Sequence, residues 1–336
     1  MGLNVLLYIP VGLFGFLAFS DRYRSGVAIL IASLIGFGAS TVVELAQQYD
    51  QLRSSSVLDV LSNSAGSFFG AVLGWFVLHR KLASWAEQWI LRADALFLTF
   101  GWIAWQVFPA TPFLTRTGDL IVKFRLSDRP RTLAGLDILL CLTETLALAK
   151  VMEVLNGGPL YRSRRGSLGF AALLLLVPLK AVIWGRGVSA VEIVTVGVAW
   201  LICVVVPRVP AVPLLLGVAI VIDGLAPFRF DSVTHAFSMV PFLGSLESDW
   251  FSGIPVLLGK AFRYAALVWM LREAKWPWWA AGGLTAAFLG ILELIQMRLP
   301  GRSPEITDPL LALLAMFVFW AARDAFEALP HAPQVR

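Results

Sequence analysis

The sequence predicts an all-α membrane protein, a polytopic bundle of about ten or eleven transmembrane helices. Of its 336 residues, 58% are hydrophobic and only 15% are charged, and the mean hydropathy is +0.77. A soluble domain carries about 45–50% apolar and about 25% charged residues, so one water-soluble core could not bury this excess. The apolar residues are also grouped in runs close to the roughly 20 residues that a bilayer span needs.

Eleven apolar runs are bounded by charged residues, glycine or proline. The predicted spans are 3–19, 26–46, 58–78, 93–110, 134–155, 168–184, 188–206, 211–226, 254–272, 276–296 and 308–326. Two of them are irregular, because the fifth run contains four charged residues and the eighth is short. Either of these could instead be re-entrant or lie at the membrane interface, which would change the number of crossings.

The distribution of Lys and Arg predicts the orientation, because short cytoplasmic loops are enriched in both. With the N-terminus outside, the inner loops carry a modest excess of basic residues over the outer loops. The outer loop near 111–133 reduces this excess, because it contains five basic residues. The first run lacks a basic segment before it, so we expect a retained span rather than a cleaved signal peptide. These features predict a multi-pass protein of the cell (inner) membrane.

The remaining composition argues against several functional classes. The formal net charge is +5, but the basic residues are scattered in short loops, so no nucleic-acid partner is expected. Cys141 and Cys203 both lie inside apolar runs, and the three histidines are far apart in sequence. We therefore expect no disulfide framework, no metal site and no cofactor.

A polar motif occurs twice at a constant offset of 249 residues. It comprises a Glu, a Gln, an Arg and an Asp, found first as Glu44, Gln47, Arg53 and Asp59 and again as Glu293, Gln296, Arg302 and Asp308. Each copy joins the end of one apolar run to the start of the next. This pattern predicts an ancient duplication of a three-span unit, with the two copies parallel in the membrane.

The repeat also predicts the domain organisation. Residues 1–80 would form the first three-span unit and 251–336 a second, more degenerate one. A central transmembrane block, residues 81–250, would separate them and include the outer loop near 111–133.

The first copy of the motif is the stronger candidate site. Charged groups at the ends of membrane spans are functional candidates, and an arginine fork suits a phosphate or carboxylate. The predicted ligand-binding residues are Glu44, Gln47, Arg53, Asp59 and Asn63, with Glu293, Gln296, Arg302 and Asp308 as the second-copy set. The alternative is a salt-bridged corner that only fixes the helical hairpin, with an aspartate capping the following helix.

Spacing within the third run makes a further prediction. Asp59, Asn63, Gly66, Gly70 and Gly74 step by three or four residues and therefore share one helical face. Glycines at this spacing let another helix approach closely, and the short connecting loop favours the second span as that partner.

Charged residues within two other runs suggest contacts inside the bundle. Lys260 and Arg263 could face Glu293, Glu144 or Asp223, most simply as ion pairs. The charged residues of the fifth run could line a cavity or lie in water at the interface: Asp137, Glu144, Lys150 and Glu153.

The first copy resembles the VanZ-like family of small membrane proteins over about residues 2–78. The residues that carry the resemblance are Asn4, Pro10, Glu44, Gln47, Arg53, Asp59, Asn63 and Gly66. Residues 254–320 match more thinly, since Ala312 and Ala315 replace the Asn and Gly of the first copy. The resemblance implies a cell-envelope setting and possible glycopeptide resistance, as in the family's namesake, but no particular reaction.

These observations favour an accessory cell-envelope role in which an outward-facing polar cluster binds a membrane lipid head group or a lipid-linked envelope precursor. The alternative is an enzyme acting on a lipid-linked phosphate or glycan, with Glu44 or Asp59 as general base. A transporter is a third possibility, suggested by the repeat and the intramembrane charges.

Overall fold

The computed structural model describes ten segments of the chain, residues 2–20, 22–47, 56–79, 92–109, 124–125, 134–183, 186–206, 211–232, 235–244 and 250–327. The structure divides into two compact units, residues 1–93 together with 320–336, and residues 94–319. The predicted boundary near residue 250 therefore falls within the larger unit. The three-part domain division stays a prediction.

The described chain is almost entirely helical, as predicted. The helices are α1 (Gly2–Phe19), α2 (Ser25–Gln47), α3 (Val57–His79), α4 (Ala93–Val107), α5 (Ala134–Leu155), α6 (Arg164–Leu174), α7 (Leu176–Leu179), α8 (Ala190–Val205), α9 (Val212–Leu225), α10 (Trp250–Glu273), α11 (Trp278–Gln296) and α12 (Thr307–Glu327). Short 3₁₀ turns occupy Leu160–Arg162 and Lys180–Val182. Two short strands, β1 (Phe124–Arg125) and β2 (Val188–Ser189), pair in parallel.

Each predicted span coincides with a helix or a pair of helices. Four described stretches are long and apolar enough to cross a bilayer: Val57–Phe76, Arg164–Val182, Gly253–Glu273 and Trp278–Gln296. Shorter apolar helices include Ser25–Thr41, Ala190–Val205, Val212–Leu225 and Thr307–Ala321. The chain is therefore a helical membrane protein, and crossings beyond these four stay a prediction.

In the N-terminal unit, the glycine face of α3 packs on α1. A Cβ atom added at Gly66 would overlap the Val5 carbonyl, and one added at Gly70 would overlap the Ile9 carbonyl. Gly12 on α1 makes the same kind of close contact with α3, because a Cβ atom there would overlap the backbone of Ser67. The prediction that the second span is the partner of this face was wrong. Glycines on both α1 and α3 let these two backbones approach closely, and that packing outweighs the short α2–α3 connection.

The larger unit has a main hydrophobic core to which each of its nine described α-helices, α4 to α12, contributes. Its buried residues include Leu98, Leu148, Phe170, Val196, Leu216, Trp269 and Leu289. The indole Nε1 of Trp269, which is almost completely buried, donates to Asp94 Oδ2 at 3.0 Å. Helix α5 lies inside this unit, since every residue from Thr143 to Ala149 is buried.

One predicted span is interrupted. Residues 164–182 form α6, α7 and a 3₁₀ turn, with the break at Leu175. Pro178 has no N–H to donate to the carbonyl of Leu174, four residues earlier, and its ring disfavours a continuous helix there. The following helix α8 begins with a capping box, in which Ser189 Oγ accepts from Val191 N at 3.1 Å and Glu192 is the reciprocal residue.

Candidate functional site

The first copy of the motif forms a hydrogen-bonded corner between α2 and α3. Glu44 is buried, and its Oε2 accepts a hydrogen bond from the backbone N–H of Ser56 at 2.9 Å. Asn63 is also buried and donates through Nδ2 to Ser40 Oγ at 2.8 Å. Asp59 lies in the first turn of α3 and is partly buried. These contacts tie α2 to α3 and fit the structural alternative for this corner.

Part of the predicted first site lies outside the described residues. Arg53 falls in the undescribed stretch 48–55, and Gln47 ends α2 with its side chain outside the description. The structure therefore shows Glu44 of α2 bonded to Ser56, just before α3, and Asn63 of α3 bonded to Ser40 of α2. The convergence of Glu44 and Asn63 with Arg53 stays a prediction.

The second copy contains the same corner hydrogen bond. Glu293 Oε2 accepts from the backbone N–H of Glu305 at 2.9 Å, just as Glu44 accepts from Ser56. In both copies the donor lies 12 residues after the acceptor, and the donors differ by the same 249 residues as the motif. Glu293 is almost completely buried. The sequence repeat is thus accompanied by a repeated main-chain contact, which supports the predicted duplication.

Asp308, at the start of α12, is held by two residues of α10. Lys260 Nζ lies 2.8 and 3.0 Å from its two carboxylate oxygens, and the Tyr264 hydroxyl donates to Oδ2 at 2.5 Å. Asp308 is buried. Lys260 lies close enough to Glu293 to act on it electrostatically and lines a small cavity with Asp223, but its described ion pair is with Asp308, which was not among the predicted partners. Asp308, the motif aspartate at the start of α12, is the carboxylate that the Lys260 ammonium contacts.

Arg263, one turn further along α10, joins two carboxylates. Its Nη1 donates to Asp223 Oδ2 at 2.9 Å, and its Nε lies 3.5 Å from Glu144 Oε1. The prediction that Arg263 faces Glu144 and Asp223 is confirmed. This ion-paired group connects α5, α9 and α10.

Arg302 differs from these cations, because its partners are main-chain carbonyls. Its Nη2 donates to the carbonyl oxygens of Asp223 at 2.5 Å and Ala226 at 2.9 Å, at the C-terminal end of α9. Within the described ranges, Arg302 forms no salt bridge, and its Nη1 and Nε make no hydrogen bond. Among the described residues, its positive charge is therefore held in place by backbone carbonyls rather than by a paired carboxylate.

The loop that carries Arg302 is fixed by a neighbouring segment. His235 N donates to Met297 O at 2.7 Å, and Ser238 N donates to Pro304 O at 2.9 Å. Gly244 N donates to Glu305 Oε2 at 3.1 Å. Because both sides of the loop are hydrogen-bonded, the Arg302 backbone is well positioned.

Three cavities of the larger unit meet at Arg302. The largest, the charged cleft, has a volume of about 540 Å³. A small cavity of about 40 Å³ shares Asp223, Lys260, Arg263 and Arg302 with it. A loop cavity of about 310 Å³ lies on the side of His235 and Glu305. Gln296 and Asp308 also line the small cavity, so three of the four second-copy residues surround it.

The charged cleft is lined by ionisable groups of both signs. Five are basic and four are acidic, namely Lys180, Arg186, Lys260, Arg263 and Arg302 with Asp137, Glu144, Glu192 and Asp223. Lys180 forms a salt bridge with Glu192. So many charges among apolar helices and their connections are costly unless they pair or meet a polar ligand, and they mark this cleft as the stronger candidate site.

Three cleft residues were not predicted from the sequence: Lys180, Arg186 and Glu192. The available signal was weak, a lysine just after Pro178 and a glutamate early in an apolar run. Of the fifth-span residues, Asp137 and Glu144 line the cleft, as one of the sequence alternatives proposed. Lys150 and Glu153 do not line the cleft. They form an ion pair with each other, with 2.9 Å between Lys150 Nζ and Glu153 Oε2. In the described part of the chain, no cluster of three potential metal ligands occurs.

A comparison with protein families identifies the N-terminal unit. Residues 1–79 match the VanZ/LLP1 family model, a range that covers α1, α2 and α3 and the first copy of the motif. No curated protein and no solved structure matches the chain. The apolar helices and this match agree with the resemblance carried by Glu44, Asp59 and Asn63. The N-terminal three-helix unit of this helical membrane protein is therefore VanZ-like.

Proposed function

We propose that this protein is a multi-pass protein of the cell (inner) membrane with an accessory cell-envelope role, and that it binds the phosphate-bearing head group of a lipid or lipid-linked envelope precursor. The binding site is the charged cleft around Arg302. The main observation behind this proposal is that the Arg302 side chain lines three cavities, while its described hydrogen bonds go only to backbone carbonyls.

The guanidinium chemistry supports a phosphate ligand. Both described hydrogen bonds leave from Nη2, so Nη1 and Nε can each donate a separate hydrogen bond to a ligand. Charge-assisted hydrogen bonds from a guanidinium to phosphate or carboxylate oxygens are stronger than neutral ones. The carbonyls of Asp223 and Ala226 fix the orientation of the guanidinium before a ligand arrives.

The rest of the cleft suits a head group that carries hydroxyls as well as phosphate. Lys260 and Arg263 add positive charge but are held by Asp308, Glu144 and Asp223. Carboxylate oxygens accept hydrogen bonds from sugar or glycerol hydroxyls. A lining of both signs therefore favours a polar head group over a simple monovalent cation.

The first copy supports a second proposed head-group site. Glu44, Gln47, Arg53 and Asp59 correspond in sequence spacing to the corner that holds Arg302, and Asn63 is a further polar residue of the first copy. Arg53→Ala should then weaken binding additively with Arg302→Ala, because sites on separate hairpins contribute independently.

Lipid titration of the purified protein tests the main site. Native mass spectrometry in detergent with added phosphatidylglycerol should show saturable binding to the unaltered chain. Arg302→Ala removes charge-assisted hydrogen bonds worth about 1.5–3 kcal/mol, so affinity should fall roughly tenfold to a hundredfold. Arg302→Lys should recover part of this affinity, since lysine keeps the charge but lacks the planar guanidinium that the Asp223 and Ala226 carbonyls orient.

The matched control is Arg298→Ala, four residues earlier in the same loop. Arg298 is exposed and does not line the three described cavities. It should bind phosphatidylglycerol as the unaltered chain does. Equal affinity of the Arg302→Ala and Arg298→Ala proteins would contradict the proposed site.

A further inference from the structure

The larger unit also contains an apolar groove. It has a volume of about 470 Å³ and is formed by α9, α10 and α11. Its lining is hydrophobic apart from one threonine, and includes Leu214, Gly217, Val218, Leu267, Leu284 and Phe288. An added Cβ atom at Gly217 would meet nothing within 4 Å, so this glycine leaves the groove open.

The same three helices line the groove and the small charged cavity. On α10, Lys260, Tyr264, Leu267 and Leu271 follow helical spacing and form one stripe, of which the first two line the small cavity and the last two the groove. Lys260 and Leu267 are seven residues apart, about 10 Å along a helix. On α9, Ile222 lines the groove and the next residue, Asp223, lines the cavity.

We infer that the ligand is an intact phosphate-bearing lipid, whose acyl chain lies in the apolar groove while its head group contacts Arg302. This inference rests on the proposed function and adds the class of ligand. The order of surfaces along α10, charged and then apolar over about two turns, matches the order of head group and chain in a lipid.

The location of the groove favours an acyl chain as its occupant. Two of its three helices, α10 and α11, contain stretches that are long and apolar enough to cross a bilayer. A chain gains little hydrophobic free energy on moving there from the bilayer, so the groove acts through van der Waals packing. It therefore selects among anionic ligands by chain length, while Arg302 supplies the attraction for the phosphate.

Photo-crosslinking tests this arrangement directly. The probe is phosphatidylglycerol with a diazirine on one acyl chain, added to the full-length protein in detergent. Crosslinks should concentrate on residues 213–222 and 284–288, and Arg302→Ala should reduce them at least threefold. Phosphatidylcholine with the same diazirine should label these residues at least threefold less, because its head group carries no net negative charge.

A groove-filling variant separates the chain from the head group. Gly217→Phe should reduce the groove crosslinks at least threefold but leave binding of soluble dihexanoyl phosphatidylglycerol unchanged. Gly197→Phe is the matched control, because Gly197 also lies in an apolar helix with open space at its Cβ and does not line the groove. A competition experiment on the unaltered protein complements these variants. Long-chain phosphatidylglycerol should displace the diazirine probe at lower concentration than the dihexanoyl form.

The outcomes distinguish the two proposals. Crosslinks spread evenly over the helix surfaces, equal labelling by phosphatidylcholine, or equal competition by both chain lengths would overturn the groove as chain site. If dihexanoyl phosphatidylglycerol still binds in an Arg302-dependent manner, the proposed function survives that result. Dihexanoyl binding that is unaffected by Arg302→Ala would instead remove the head-group site on which both proposals depend.

Discussion

Replacement of Arg263 by Met should strongly destabilise the larger unit. The guanidinium joins Asp223 at 2.9 Å and Glu144 at 3.5 Å, and its side chain is only 12% exposed. The Glu144 side chain is 11% exposed and that of Asp223 is 21% exposed. Methionine keeps much of the volume but removes the cation that the two carboxylates share. Breaking such a buried pair costs about 3–5 kcal/mol.

Unfolding in mixed micelles with increasing SDS, followed by tryptophan fluorescence, would measure this loss. Arg298→Met is the control, because Arg298 is exposed, and it should change the free energy of unfolding by less than about 0.5 kcal/mol. The triple variant Arg263→Met, Glu144→Gln, Asp223→Asn should recover most of the stability, since no unpaired charge remains buried. A cost below about 1 kcal/mol for Arg263→Met, or a triple variant less stable than the single one, would refute the reasoning.

Three further predictions follow from the helix contacts. Gly70→Leu should destabilise the N-terminal unit by about 1–3 kcal/mol or more, because a side chain there overlaps the Ile9 carbonyl, whereas Gly38→Leu has open space and should be tolerated in the same SDS assay. Glu44→Ala and Glu293→Ala should each cost about 1–3 kcal/mol by leaving the Ser56 or Glu305 N–H without its partner; clearly unequal losses would count against equivalent corners. Ser189→Ala should cost about 1 kcal/mol through loss of the α8 cap, and Ser189→Asp should restore it; failure of the aspartate to rescue stability would argue against capping as the cause.

The helices were predictable because their signals are local. The runs 26–46 and 58–78 correspond to Ser25–Gln47 and Val57–His79, since charged or polar residues bound each apolar run. The interruption after Leu174 was missed, although Pro178 is visible in the sequence. A proline can end, kink or merely bend a helix in a membrane, so the sequence alone did not decide among these outcomes.

The site was only partly predictable, because it depends on contacts between distant segments. Spacing within one helix correctly grouped Lys260 with Arg263, but the actual partner of Lys260 comes from α12, 48 residues later. The repeated motif included Arg302, which lines the charged cleft, and its role in binding stays a prediction. Its surroundings could not be predicted, because Lys180, Arg186 and Glu192 reach the same cleft from separate elements. The prediction of α2 as the partner of the α3 glycines was wrong for the same reason, since glycine on the opposing α1 decides how closely the helices approach.

The most direct test of the account is to locate bound lipid by electron cryomicroscopy of the full-length protein in phosphatidylglycerol nanodiscs. The account predicts head-group density in the charged cleft within hydrogen-bonding distance of Arg302, and its loss in the Arg302→Ala protein. A cleft that contains only water in both proteins, with lipid confined to the outer surface of the helices, would contradict it.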